Sequence, residues 1–234
     1  MLKSILASDH LLKWTFRNMN FFSRFTEALF PDRCVDCGTR GALLCFACIK
    51  KISPALTPEK DFIASVFSYH DFRVKRLVWL LKYRNKRNVA KVFAPPLAAA
   101  LLEFLGEENS FLGARKILLV PVPLSKKRYA KRGYNQAELI AQEIIKNMPE
   151  GKFLLETKLL KKRNETKPQA DIKKKSLRLI NLGDCFEIFA GRKSNGEVVF
   201  LIDDVTTTGA TLMAARKVLR AAGFNKVYAL TIAH

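Results

Sequence analysis

Apolar positions recur along the chain at two different spacings, and the alternation between them predicts alternating helices and strands. At the start, Leu2, Ile5, Leu6, Leu12, Phe16 and Met19 fall near helical spacing. They predict an amphipathic helix that either packs on the protein or lies on a membrane surface. Ser53-Pro54 and Thr57-Pro58 mark a linker. Phe62–Tyr69 alternates as a strand does, and Phe72–Tyr83 predicts a helix with Leu77, Leu80 and Leu81 inward. Asn88–Phe104 predicts a second helix, interrupted by Pro95-Pro96. Lys116–Val122 is a buried strand, Pro123–Gln136 a basic loop around Gly133, and Ala137–Asn147 a helix. Leu154–Leu160 predicts a short strand, and Lys161–Arg178 a loop with a short helix. Val198–Ile202 is a buried strand, and Leu212–Ala222 a helix capped by Gly223. Lys226–Ile232 is the last strand. The expected fold class is α/β, a mainly parallel sheet flanked by helices.

Composition changes this picture in one respect. At 234 residues and 49% hydrophobic the chain reads as an ordinary globular protein, but 41 Lys and Arg face 21 Asp and Glu, a net charge of +20. Such a field attracts nucleic acid, an anionic membrane or phosphorylated small molecules, unless the lysines merely solvate the surface. No run of about 18 consecutive apolar residues argues for a spanning helix, and the N-terminus lacks the unbroken apolar run and cleavage site of a signal peptide. These features predict a cytoplasmic protein.

Four of the five cysteines lie in CVDCGTRGALLCFAC: Cys34, Cys37, Cys45 and Cys48. Two Cys-x-x-Cys pairs seven residues apart can each point two sulfurs inward and close a tetrahedron around Zn²⁺. A disulfide framework needs an oxidising compartment, and a redox motif explains one pair but not two. Four thiolates leave no open position, so the expected metal is structural. Cys185 reads as a small buried residue.

The segment VVFLIDDVTTTGATL (Val198–Leu212) carries the clearest chemistry. The strand delivers Asp203 and Asp204 to its C-terminal end, where open α/β sheets bind ligands. The loop that follows is rich in threonine and contains Gly209. Its backbone N–H groups and hydroxyls suit a phosphate, and the next helix points its positive end at the same anion. Two adjacent carboxylates suit the two hydroxyls of a ribose. A plain Asp turn with a threonine cap would need fewer of these residues.

DDVTTTGAT resembles the phosphoribosyl pyrophosphate motif of the type I phosphoribosyltransferases. With the four-cysteine knuckle, LKYRNKR (Leu81–Arg87), VPVPLSKKRYAKRGYNQAELIA (Val120–Ala141) and RNETKPQ (Arg163–Gln169), the chain from about Leu29 onward resembles the ComF family, which includes the ComFC competence proteins and the GntX-like proteins. The resemblance implies a five-stranded parallel core under a hood. It implies a zinc-binding knuckle over 29–55 and a phosphoribosyltransferase-like domain over 56–234, and leaves the amphipathic extension over residues 1–28 outside it. By the same resemblance Asp203 and Asp204 hold the ribose, and Thr206, Thr207, Thr208, Gly209, Ala210 and Thr211 hold the 5′-phosphate. The loop after Val120-Pro121-Val122-Pro123 lies on the pyrophosphate side, with Arg132, Gly133, Asn135 and Gln136 in the flexible region near it, and Arg128 and Arg132 are candidates to pair with its oxygens. Mg²⁺ would accompany the pyrophosphate.

No residue presents itself as catalytic, and no nucleobase pocket is legible. His10, His70 and His234 are the three histidines, none beside the phosphate loop in sequence. Three functional readings follow, the third being a non-catalytic regulator that senses phosphoribosyl pyrophosphate. The first is a competence-type protein that binds single-stranded DNA and a phosphoribosyl ligand, either phosphoribosyl pyrophosphate or a 5′-phosphate, with a helicase or recombination protein as partner. Basic stretches at Arg73–Lys91, Lys126–Arg132 and Lys161–Arg178 support it, interleaved with Phe72, Trp79, Tyr83, Tyr129 and Tyr134. The second is an active phosphoribosyltransferase with an unidentified acceptor.

Overall fold

A computed structural model describes residues 32–55, 60–107, 116–163, 185–189 and 192–234. The predicted N-terminal helix, Thr57-Pro58, and all but the first residue of RNETKPQ lie outside the described residues. Five strands form one parallel sheet: β1 (Ile63–Phe67), β2 (Ile117–Pro121), β3 (Phe153–Leu155), β6 (Val198–Val205) and β7 (Lys226–Ala233), in the order β1-β7-β6-β2-β3. Two further strands, β4 (Leu160–Lys162) and β5 (Phe186–Ile188), pair antiparallel in a separate ribbon. The single strand expected over Leu154–Leu160 is therefore two short strands in different sheets.

The helices are α1 (Phe46–Ile49), α2 (Phe72–Tyr83), α3 (Val89–Glu107), α4 (Lys126–Arg132), α5 (Gln136–Ile145) and α6 (Ala210–Ala221). They cover both faces of the sheet. On one face Phe67, Leu119, Phe200 and Ile232 pack with α2, α3, α5 and the cysteine segment. On the other, Leu118, Val120, Val199 and Leu201 pack with α6 and the β4–β5 ribbon. The strands are apolar on both sides, so they read as unbroken hydrophobic runs, as parallel strands covered on both faces do.

Three local differences from the sequence expectation have physical reasons. Helix α3 runs through Pro95 and Pro96. Its register buries Val89, Phe93, Leu97 and Leu101 completely or nearly so, and that packing outweighs the two missing amide donors. This helix has the length and composition to cross a membrane, and it lies with one face in the core. The basic loop is in part the helix α4, because Ser125 accepts from the Arg128 N–H at its start and Gly133, at φ 76°, closes its end. Helix α6 begins two residues early, at Ala210, and ends as expected: the Phe224 N–H donates to Leu219 O and the Gly223 N–H to Arg220 O, a Schellman closure.

The central pair β6 and β2 sets the site. The chain leaves β2 toward α4 and α5 on one face and leaves β6 toward α6 on the other. Neighbouring strands whose exits diverge leave a crevice at their carboxyl ends, the usual ligand position in open parallel sheets.

Candidate functional site

β6 is longer than its apolar run suggests. It continues to Val205 because Asp203 and Val205 still pair with Thr231 and Ala233 of β7. The two aspartates thus lie just before the end of a central strand, held at fixed positions. Successive side chains point to opposite faces. Asp204 follows Phe200 and Ile202 toward α2 and α5, and Asp203 follows Val199 and Leu201 toward the β4–β5 side.

Each carboxylate has one committed oxygen. Asp203 Oδ1 accepts from the Asp204 N–H at 2.8 Å, and Asp204 Oδ1 accepts from the Val205 N–H at 2.7 Å. Asp204 Oδ1 also meets Lys82 Nζ, from α2, at 2.7 Å. Among the described residues nothing takes the Oδ2 of either aspartate, so the pair presents one uncommitted acceptor on each side of the strand end. Burial, and then repulsion from Asp204, push the Asp203 carboxyl up to about 7, against the Asp204 N–H and the charges of Lys82 and Lys162. Lys82 and Lys162 come from α2 and β4, on opposite faces of the sheet.

The loop after β6 is shaped by its donors. The Thr206 N–H is spent on Ala233 O at 3.0 Å, and the Ala210 N–H makes a long contact of 3.4 Å to Thr208 Oγ1. The N–H groups of Thr207, Thr208, Gly209 and Thr211 have no acceptor among the described residues. They are the loop's open donors at the start of a twelve-residue helix. Gly209 sits at φ 67°, and a Cβ there would lie 2.8 Å from Ile63 Cδ1 and 3.4 Å from the Cδ and Cε atoms of Lys60. The Lys60 side chain therefore lies against the loop. His234 also reaches it: its Nε2 is 2.9 Å from Thr207 O. Parallel pairing of β7 with β6 brings these two segments together, 27 residues apart in sequence.

The loop after β2 runs beside this pair. The Val122 N–H donates to Ile202 O at 2.9 Å, and Asn135 Nδ2 donates to Val122 O at 3.0 Å while its Oδ1 caps α5. Arg132 donates to Gln136 Oε1 at 2.8 Å, and its guanidinium lies 5.5 Å from the Tyr83 ring centroid. Gln136 is 1% exposed, and its Nε2 has no partner among the described residues. The two arginines expected on the pyrophosphate side therefore differ. Arg132 is tied to Gln136 and Tyr83, near Lys82, whereas the exposed Arg128 has no side-chain partner among the described residues.

A second surface lies on α2. Trp79 and Tyr83 are exposed, with ring centroids 6.3 Å apart, and Arg76 and Arg84 each lie 5.1 Å from the Trp79 ring. Phe72 and Tyr129 are exposed as well. Tyr134 is not part of this surface. It is buried, its hydroxyl donates to Leu81 O, and Arg87 covers its ring at 4.7 Å. The RGYNQ segment is thus a structural latch between α5 and the end of α2.

The sulfurs of Cys34, Cys37, Cys45 and Cys48 lie within 4.8 Å of one another, and the cluster could bind zinc. A tetrahedron with Zn–S bonds of about 2.3 Å needs sulfurs about 3.8 Å apart, and Cys37 and Cys45 are at 3.6 Å. The Cys45 N–H points at Cys34 Sγ, 3.4 Å away, and Gly38 makes the first knuckle turn at φ 75°. Hydrogen bonds from the Thr39 side chain and backbone hold the Cys37 thiol down at about 6, while burial pushes the Cys48 thiol well up. A dication offsets the cost of ionising all four together. Cys185, expected to be buried, is half-buried against the second core cluster.

No protein-family model matches the chain. Two curated proteins are similar to it. Competence protein ComFC of Bacillus subtilis (strain 168) is 30% identical over 155 residues, 66% of this chain and 56% of that protein. Competence protein F of Haemophilus influenzae (strain ATCC 51907 / DSM 11121 / KW20 / Rd) is 32% identical over 110 residues, 47% of this chain and 46% of that protein. These similarities support membership of the ComF family. It spans about half the length of the curated relatives it matches.

Sequence reasoning missed Lys60, Lys82 and Lys162 as neighbours of the loop and its carboxylates. Lys82 stood in LKYRNKR without an assigned role. His234 had no signal at all, because only strand pairing brings it to Thr207.

Proposed function

We propose that this chain acts in competence, as its curated relatives are named, by binding a phosphoribosyl ligand at the β6–α6 loop and single-stranded DNA on the basic face of α2. One observation carries the ligand half. Two carboxylates with one uncommitted oxygen each precede a loop of uncommitted N–H groups, an arrangement complementary to two ribose hydroxyls and a 5′-phosphate. A 5′-phosphorylated DNA end suits it less well, since its 3′ oxygen is esterified and its sugar lacks the 2′-hydroxyl. Phosphoribosyl pyrophosphate is the better ligand. Mg²⁺ would arrive on the diphosphate rather than in a cage of protein ligands.

The DNA half rests on Trp79 and Tyr83, exposed and bordered by Arg76, Arg84 and Arg132. Bases stack on such rings while the cations follow the phosphates. A helicase or recombination protein as partner, and a cytoplasmic site of action, belong to the same reading.

The test compares the Asp203→Asn/Asp204→Asn double variant with the wild-type chain for phosphoribosyl pyrophosphate and single-stranded DNA binding. The reading expects ligand binding to be lost and DNA binding retained, with DNA affinity falling steeply as salt rises. Retained ligand binding removes the site assignment, and DNA affinity indifferent to salt removes the surface.

A second reading, an active phosphoribosyltransferase, draws on the loop after β2 running beside the carboxylates, where a leaving pyrophosphate would be held. Pyrophosphate release with Mg²⁺ and a panel of acceptors decides it.

A further inference from the structure

Lys82 stands out among the cations of the crevice because it is already engaged at the carboxylate pair. Its ammonium is 2.7 Å from Asp204 Oδ1, and its side chain is 20% exposed, neither sealed in the core nor free in solvent. The oxygen it occupies also accepts the Val205 N–H. A ribose hydroxyl therefore has no need to displace Lys82, since the other oxygen of Asp204 is uncommitted. An ammonium carries three N–H donors, and Asp204 uses one of them. With sugar bound, Lys82 remains beside it holding donors that can turn to another oxygen of the ligand.

The position of that oxygen follows from the sheet. Asp204 faces the side of α2 and α5. Arg132, from α4, and Gln136, at the start of α5, meet on the same side at 2.8 Å, and Arg132 lies over Tyr83, the residue after Lys82. Gln136 Nε2 is a buried donor without a partner among the described residues. The 5′-phosphate, by contrast, belongs to the loop opening α6 on the opposite face. The cations therefore divide between two anionic groups of one ligand.

We propose that Lys82 is the specificity-determining contact for the second anionic group of the ligand, so that the pocket selects a ribose 5-phosphate carrying a diphosphate over ribose 5-phosphate alone. This inference rests on the phosphoribosyl reading above and adds to it the residue that reads the far end of the ligand. Lys82 lies on α2, outside the β2 and β6 loops where anion contacts of this fold were expected from the sequence.

The experiment is calorimetric titration of the full-length wild type, Lys82→Gln and Lys82→Arg with phosphoribosyl pyrophosphate and, separately, with ribose 5-phosphate. Both probes carry the 5′-phosphate and the two hydroxyls, and they differ in the diphosphate. The expected result is a loss of roughly tenfold or more for phosphoribosyl pyrophosphate in Lys82→Gln, a change under about threefold for ribose 5-phosphate, and recovery to within about threefold of wild type in Lys82→Arg, the size of one charge-assisted contact. Because the ratio of the two affinities is taken within one protein, a partly unfolded variant does not mimic the effect. Equal weakening of both ligands overturns the proposal and leaves Lys82 as a neutralising partner of Asp204 alone. Unchanged phosphoribosyl pyrophosphate affinity overturns it as well. A wild-type chain that binds neither probe sinks the phosphoribosyl reading itself, an outcome distinct from either.

Discussion

Asp203 is the residue whose chemistry depends most on its surroundings. Burial and the neighbouring Asp204 raise its carboxyl to about 7, with Lys82 and Lys162 opposing. A carboxyl that holds its proton more tightly in the native chain makes stability fall as pH rises from about 4, the ordinary carboxylate value, and the penalty is complete above the native value near 7. Asp203→Asn removes that ionisation while keeping an oxygen for the Asp204 N–H. The melting temperature of the variant relative to wild type is therefore expected to be higher at about pH 8 than at about pH 5, by about 3 °C or more, since each tenfold gain in proton affinity on folding corresponds to about 1.4 kcal/mol. A difference that does not change with pH removes the argument. Gly209 gives a prediction of the opposite sign. Its φ of 67°, and the 2.8 Å at which a Cβ would meet Ile63 Cδ1, make Gly209→Ala destabilising by about 2 kcal/mol. The loss would be read as a melting temperature lower by several degrees and as weaker binding of inorganic phosphate.

At the scale of elements, α2 has three duties. Asp71 caps it by accepting from the Arg73 N–H at 2.9 Å. Its buried face of Val74, Leu77, Val78 and Leu81 joins the core, its outer face shows Trp79 and Tyr83, and its last turn sends Lys82 to Asp204. Replacing Trp79 with alanine is expected to weaken single-stranded DNA binding by about 1–3 kcal/mol as a base loses its platform. Phosphoribosyl pyrophosphate affinity should be unchanged, as fluorescence titration of the two ligands would show; loss of both would mean that the ring supports the helix instead. The apolar face of α2 was legible in the sequence, because Leu77 and Leu81 repeat at helical spacing. So were the central strands β2 and β6, whose unbroken apolar runs follow from burial on both faces, and the loop bearing Asp203 and Asp204, whose residue types are hard to explain otherwise. Helix α4 was not legible, since a helix with no buried residue has no apolar stripe to betray it. Lys82, Lys162 and His234 were not legible either: their neighbours are supplied by other elements, and local patterns carry no information about pairing across the sheet.

At the scale of the whole molecule, the cysteine knuckle and the ligand crevice are linked through α2. Cys34, Leu43, Leu44, Cys48, Ile49 and Ile52 belong to the same core cluster as Val74, Leu77 and Leu81. The docking is reinforced by Arg73, which pairs with Asp71 at 2.8 Å and Asp36 at 3.2 Å and donates to Lys51 O, and by Lys86, 2.9 Å from Asp32. A knuckle this short has too small a core to keep its shape alone, so a metal held at its four sulfurs would supply a large part of its folding free energy. Removing the metal should then loosen the surface on which α2 rests, and with it the position of Lys82. Full-length protein treated with a strong chelator, its metal content followed by elemental analysis, is expected to lose amide-exchange protection along Phe72–Tyr83 and to bind phosphoribosyl pyrophosphate about tenfold more weakly. Both should return when zinc is restored. Protection of α2 that survives metal loss would make the knuckle an independent appendage. Protection lost without a change in ligand affinity would separate α2 from the pocket and leave the carboxylate pair to be organised by β6 alone.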